Sequence, residues 1–131
     1  MVETARGAIE LPALAAVPGV AALVVGTNDL ARELRCVPGA DRLPLWPHLA
    51  ATVAAARAYG LVVLDGVFNA IDDADGLAAE CTQGARFGFD GKSLIHPSQI
   101  AAANAAFSPD PDAVAAAEAL VARARAIETR G

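Results

Sequence analysis

Lysine is nearly absent from this chain. Lys92 stands alone beside nine arginines, and with 15 acidic residues the formal net charge is −5. No basic cluster marks a nucleic-acid footprint, which argues against a protein that tracks phosphate backbones. Cysteine is equally scarce. Cys36 and Cys81 lie far apart and match no metal-ligand spacing, as expected of reduced thiols in a cytosolic protein. Neither Gly-x-Gly-x-x-Gly nor Gly-x-x-x-x-Gly-Lys-Ser/Thr occurs, so phosphate-cradling loops of those two kinds are not supported. Apolar runs are broken by Gly, Pro or charge well short of the roughly 20 residues that a membrane span needs. Acidic Glu3 stands where a secretory leader would carry its basic start, so a soluble, cytoplasmic protein with no membrane partner is expected.

Apolar residues are plentiful, at 55% of 131 residues, enough for the core of a single domain spanning 1–131. Much of that content is alanine, so helices must pack closely to gain from burial. Val20–Gly26 and Leu61–Asp65 are short continuous apolar runs, the pattern of strands buried on both faces. Ser93–His96 reads as a shorter strand, and Val2–Thr4 as the tail of another. Helices are expected at Pro47–Tyr59 with a stop at Gly60, at Asp73–Gln83 with a stop at Gly84, and at Pro97–Phe107. A final helix begins at Asp110 as N-cap and Pro111 in the first turn, with Arg123, Arg125 and Arg130 toward its end. This alternation predicts an α/β fold with a parallel sheet and covering helices, either an open doubly wound sheet or half of an eight-stranded barrel.

Glu3 and Asp29 each close a strand in consecutive units, 26 residues apart. Adjacent parallel strands lie roughly 4.8 Å apart, so two carboxylates at their C-terminal ends can share a small hard cation. Magnesium needs little more from a protein, since it keeps several waters. Asp29, or Asn28, as an ordinary helix N-cap is the competing reading. Asp65 closes a further strand, either at an active-site rim or as a cap on the loop after it. Lys92 invites a Schiff-base reading. Counted back four residues from His96, however, it falls about 13 Å lower, at ~3.3 Å per residue, near the opposite face of the sheet. A structural or salt-bridging lysine is therefore expected. His96 is a candidate for proton transfer or for a channel lining, with a satisfied strand-end histidine as the alternative. His48 reads as a surface or interface side chain.

Several motifs line up in order: Glu3-Thr4, Gly26-Thr27-Asn28-Asp29, Leu64-Asp65-Gly66-Val67-Phe68, Gly88-Phe89-Asp90-Gly91-Lys92-Ser93-Leu94-Ile95-His96-Pro97-Ser98-Gln99-Ile100 and Phe107-Ser108-Pro109. Together they resemble the citrate lyase β-subunit-like proteins of the HpcH/HpaI aldolase superfamily, which includes citryl-, malyl- and citramalyl-CoA lyases. The resemblance implies a partial TIM (β/α)8 barrel, units five to eight, with four parallel strands. It implies Mg²⁺ held by Glu3 and Asp29, with Asn28 standing where the family often has an acidic residue. An early-strand arginine and a C-terminal lid bearing an Asp, which the family also uses, fall outside Met1–Gly131.

The implied reaction is cleavage of a 3-hydroxyacyl-CoA to an acyl-CoA, such as acetyl-CoA, and a 2-oxo acid. Gly26, Thr27, Asn28 and Asp29 would bind the 2-oxo acid's carboxylate through backbone N–H groups at a helix start. Asp65 and His96 are the candidate catalytic groups. A half-barrel remnant acting as a subunit or as a metal- and acyl-CoA-binding module is the alternative, and an aldolase for free hydroxy acids is a third reading. Unpaired sheet edges predict self-association or a complementing N-terminal half as partner, with Trp46 and Val37–Leu49 as contact surfaces.

Overall fold

Burial alternates along the strand Val62–Asp65, where Val63 and Asp65 are fully buried and Val62 is 48% exposed. Alternation of this kind marks a sheet with one covered face. The computed structural model describes residues 1–128. Its sheet contains β1 (Ala22–Val24), β2 (Val62–Asp65) and β3 (Gly91–Lys92), all parallel and in chain order. Leu23 pairs with Val63, and Asp65 with Lys92.

Seven α-helices are described: α1 (Ala5–Ile9), α2 (Leu11–Ala15), α3 (Thr27–Leu34), α4 (Trp46–Ala58), α5 (Ala74–Phe87), α6 (Ile100–Phe107) and α7 (Pro111–Glu128). On the covered face, Leu23, Val25 and Val63 join Leu30, Leu45, Leu49 and Ala56 in the main core. A smaller cluster holds Leu77, Cys81 and Ala103 between α5 and α6. The other face carries Ala22, Val24, Val62 and Leu64, none of them buried.

Local chemistry sets the helix ends. Asp73 caps α5 by accepting from the Gly76 N–H at 2.9 Å, and Asp110 Oδ1 accepts from the Asp112 and Ala113 N–H groups at the start of α7. Helix α7 is exposed from Pro111 to Ile127, and Arg130 lies outside the described residues. The stop expected at Gly84 is passed. A Cβ there would meet Asp65 Oδ2 at 2.8 Å, so the glycine serves a close approach within the helix. The helix instead ends at Gly88, whose φ of +95° no ordinary residue adopts easily.

Of the four strands the sequence predicts, three form among the described residues. Val2 contributes only a single parallel bridge to Val25, beside β1, with Val2 N–H donating to Val24 O and Gly26 N–H to Val2 O. The strand expected at Ser93–His96 lies earlier, at Gly91–Lys92. Ser93 N–H still bonds Asp65 O, but Ile95 N–H turns to the Gln99 side chain and the chain leaves the sheet for the 3-10 turn Pro97–Gln99. Lys92 therefore sits level with Asp65 in the register, not one strand-length below the rim. Helices α1 and α2 are five residues each, too short to show a period in the sequence.

Candidate active site

Gly26 organises the carboxyl end of the sheet. It follows Val25, bonds back to Val2, and stands as N-cap of α3. A Cβ at this position would lie 2.7 Å from Glu3 Cβ and 3.1 Å from Glu3 Oε2. Only the missing side chain lets the half-buried Glu3 lie over the turn. No side chain caps α3, so its first-turn N–H groups receive no help from that source. Asp29 sits in the same first turn, where the helix dipole favours its charge. Its Oδ1 pairs with Arg32 Nη2 at 2.7 Å on the surface. Glu3 has no ion pair among the described residues. The structure thus brings Glu3, Gly26, Thr27, Asn28 and Asp29 to one helix end.

These residues suit a small hard cation. They offer two carboxylates, and no group of three or more His, Cys, Asp or Glu side chains gathers anywhere among the described residues. Magnesium accepts such a sparse oxygen set, whereas a structural zinc site wants four nitrogen or sulfur ligands. Arg32 would have to share or release Asp29 for both oxygens to face an ion.

The other candidates take different places. Asp65 is wholly buried on the helix side of the sheet. Arg42 Nη1 donates to both its oxygens, at 2.8 and 3.0 Å, Lys92 Nζ donates at 3.2 Å, and the Gly66 N–H donates at 2.8 Å. Glu80 completes the cluster, accepting from Lys92 and lying 3.5 Å from Arg42 Nη1. Two cations and two anions cancel, which is how a buried charge cluster persists. Lys92 is a salt-bridging lysine, as expected, although on a different level of the sheet. Burial pushes the neighbouring Cys81 thiol up and the Lys92 charge only partly opposes it, so this cysteine is held as an unreactive thiol. His96 is exposed, and its Nδ1 accepts from the Ser98 N–H at 3.2 Å, so it caps the turn at Pro97. Asp90, inside the longest motif, is lowered by the Arg57 guanidinium and also accepts the Val63 N–H at 2.8 Å.

Sequence reasoning missed two features. Arg42, in left-handed backbone with φ 55°, anchors its loop to β2 and α5. Nothing periodic in the sequence marks it. Asn69 exchanges two amide hydrogen bonds with Asn28, at 3.0 and 2.8 Å, tying the loop after β2 to α3. Its place in a turn-rich stretch was the only available signal. Alongside runs a groove of about 450 Å³ lined by residues of α3, the loop before α4, the loop after β2 and α5.

The profile of the HpcH/HpaI aldolase/citrate lyase family matches residues 1–97. The chain belongs to this family. It is 47% identical to a (3S)-malyl-CoA thioesterase of Cereibacter sphaeroides over 131 residues, all of this chain and 46% of that protein. It is 35% identical to the mitochondrial citramalyl-CoA lyase of Homo sapiens over 101 residues, 77% of this chain and 30% of that protein. A crystal structure of the protein CitE from Mycobacterium tuberculosis in complex with magnesium, acetoacetate and coenzyme A superposes with a TM-score of 0.76. The two are 32% identical, and the match covers 94% of this chain and 48% of the other. The chain therefore spans less than half the length of the curated relatives it matches. Among the described residues, no helix is long and apolar enough to cross a membrane.

Proposed function

We propose that this chain carries the metal-binding half of an enzyme acting on 3-hydroxyacyl-CoA thioesters, a magnesium-dependent carbon–carbon lyase. One observation carries the reading: Glu3 lies over a side-chain-free Gly26 at the uncapped start of α3, and Asp29 occupies that helix's first turn. The solved relative bound to magnesium and coenzyme A supports the choice of ligands. Bound by Glu3 and Asp29, magnesium would supply Lewis-acid stabilisation for negative charge developing on a substrate oxygen. The protein's own part is positioning. First-turn N–H groups of α3 hold a carboxylate by hydrogen bonds and the helix dipole, and the Asn28–Asn69 amide pair fixes that turn against the next loop.

The open face bearing Ala22, Val24, Val62 and Leu64 supports a partial barrel, units five to eight of a (β/α)8 fold, whose remaining half comes from another chain segment or a second copy. The thioesterase among the relatives favours a second reading, hydrolysis of the thioester at the same site. Citramalyl-, malyl- and citryl-CoA offered with Mg²⁺ separate the two. A lyase releases a 2-oxo acid with the thioester retained, whereas a thioesterase releases free thiol. Turnover that survives both Glu3→Gln and Asp29→Asn refutes either reading. Manganese binding that those variants abolish, without turnover in the parent chain, leaves the chain as a binding module.

A further inference from the structure

Helix α3 carries three charged side chains, Asp29, Arg32 and Glu33. Glu33 is already engaged: its Oε2 accepts from the Ala5 N–H at 3.3 Å, tying the segment just past Glu3 to this helix. Arg32 Nη2 lies 2.7 Å from Asp29 Oδ1, and among the described residues no other cation pairs with Asp29 or Glu3. Glu3, Asp29 and Glu33 against Arg32 leave two negative charges in excess, which one divalent ion balances.

The hold of Arg32 on Asp29 is weak by construction. Helical side chains lean toward the N-terminus, so an arginine three residues after an aspartate lies over the first turn. That is the wrong end of the helix dipole for a cation, since the first turn favours anions. Arg32 is also 80% exposed and Asp29 46% exposed, so water and salt screen the pair. A bond of this kind adds little to the fold and breaks readily. Once released, a guanidinium that already reaches the first turn needs little movement to meet an anion bound at the same turn.

We infer that Arg32 is an exchangeable counter-ion: it rests on Asp29 while the metal is out, yields that oxygen to the ion, and then faces the anionic 2-oxo acid. The assignment rests on the metal and 2-oxo acid reading above. Arg32 is thus a positioning residue that couples the two ligands. Its release by the metal favours the anion, and by thermodynamic reciprocity the anion, in drawing Arg32 away, favours the metal.

Calorimetric titration of the full chain with manganese, and then of the manganese-loaded chain with pyruvate, tests the assignment. Arg32→Gln should bind manganese about two- to fivefold more tightly than the parent, the scale of an exposed ion pair removed as competitor. The loaded variant should bind pyruvate about two- to fivefold more weakly. Arg35→Gln removes an equal charge roughly 9 Å further along the helix, beyond a Debye length of about 8 Å, and should change either affinity by less than about 1.5-fold. In nitrogen-edited NMR spectra the Arg32 side-chain signal, identified by its loss in Arg32→Gln, should shift as Mg²⁺ saturates the parent chain. Manganese binding in Arg32→Gln no tighter than in the parent, unchanged pyruvate affinity, an equal response from Arg35→Gln, or an Arg32 signal indifferent to Mg²⁺ overturns the proposal. Failure of the metal reading is seen separately, as manganese binding that Glu3→Gln and Asp29→Asn leave intact, and it removes this assignment as well.

Discussion

Removing Lys92 isolates the energetics of the charge cluster beneath the sheet. Its side chain is wholly buried and donates to Asp65 and Glu80. In Lys92→Met the apolar stem is largely preserved, so the change is mainly one of charge. Arg42 is left facing both Asp65 and Glu80, a net negative charge with little access to water. Breaking a buried pair in this way costs about 3–5 kcal/mol, a large share of the roughly 5–15 kcal/mol that holds a domain folded. Glu80→Gln produces the opposite imbalance and should cost somewhat less, because Glu80 is 11% exposed.

The double variant restores neutrality, leaving Arg42 paired with Asp65 at 2.8 Å. Its loss should therefore fall short of the sum of the single losses by about 2 kcal/mol, inside the range of coupling energies for contacting groups. Urea unfolding is the assay. With a slope of about 2 kcal/mol/M, Lys92→Met should lower the midpoint by roughly 2 M at unchanged slope. If the two single losses add to within ~0.5 kcal/mol, the cluster does not act as a unit and the argument from charge neutrality fails.

Gly26→Ala places a Cβ against Glu3 and should weaken manganese binding by at least about tenfold, the scale of a lost ligand-orienting contact, with helix content preserved by circular dichroism. Equal affinity in that variant would remove Glu3 from the metal site. Asp90 is held below its unfolded value, chiefly by Arg57, so its contribution to stability is present above about pH 4 and is lost as pH falls through the lower folded value. Asp90→Asn should therefore be less stable than the parent at pH 7 and converge with it on acidification, and a gap that persists into strong acid contradicts this. The uncovered face and the free edges of the sheet should drive self-association, or capture of a complementing half-barrel segment, detectable by light scattering. A strictly monomeric chain at micromolar concentration that also ignores such a segment speaks against the half-barrel.

What the sequence made legible follows from where the deciding interaction lies. Strand β2 was readable because Leu61–Asp65 is an unbroken apolar run, and α5 because Asp73 caps a helix three residues before Gly76. These are local signals. The end of α5 is not legible locally, because the role of Gly84 depends on Asp65, nineteen residues away in sequence but in contact in space. Counting strand length back from His96 puts Lys92 too low, because the real limit is set by pairing with β2. Arg42 was invisible for the same reason, since its partners Asp65, Glu80 and Gln83 all come from other elements. The expectation that Glu3 and Asp29 each close a strand is met only in outline: Glu3 follows the single bridge residue Val2, and Asp29 lies in the first turn of α3, past the N-cap Gly26.

Two contacts across the sheet give that pattern its geometry. Val2 is hydrogen-bonded between Val24 and Gly26, which fixes the height at which Glu3 leaves the sheet. Thr27, packed against Gly66 where a Cβ would clash, fixes the start of α3 against the end of β2. Two glycines just past the ends of β1 and β2 thus shape this region, Gly26 admitting Glu3 and Gly66 admitting the first residue of the helix that carries Asp29. Gly66→Ala should shift α3 and weaken manganese binding even though Gly66 touches neither carboxylate. Substitutions on the exposed helix α7 should leave that binding unchanged. A site assembled only from the short segments Val2–Glu3 and Gly26–Asp29 would show no such dependence on Gly66, so this pair of variants distinguishes a locally built site from one braced across the sheet.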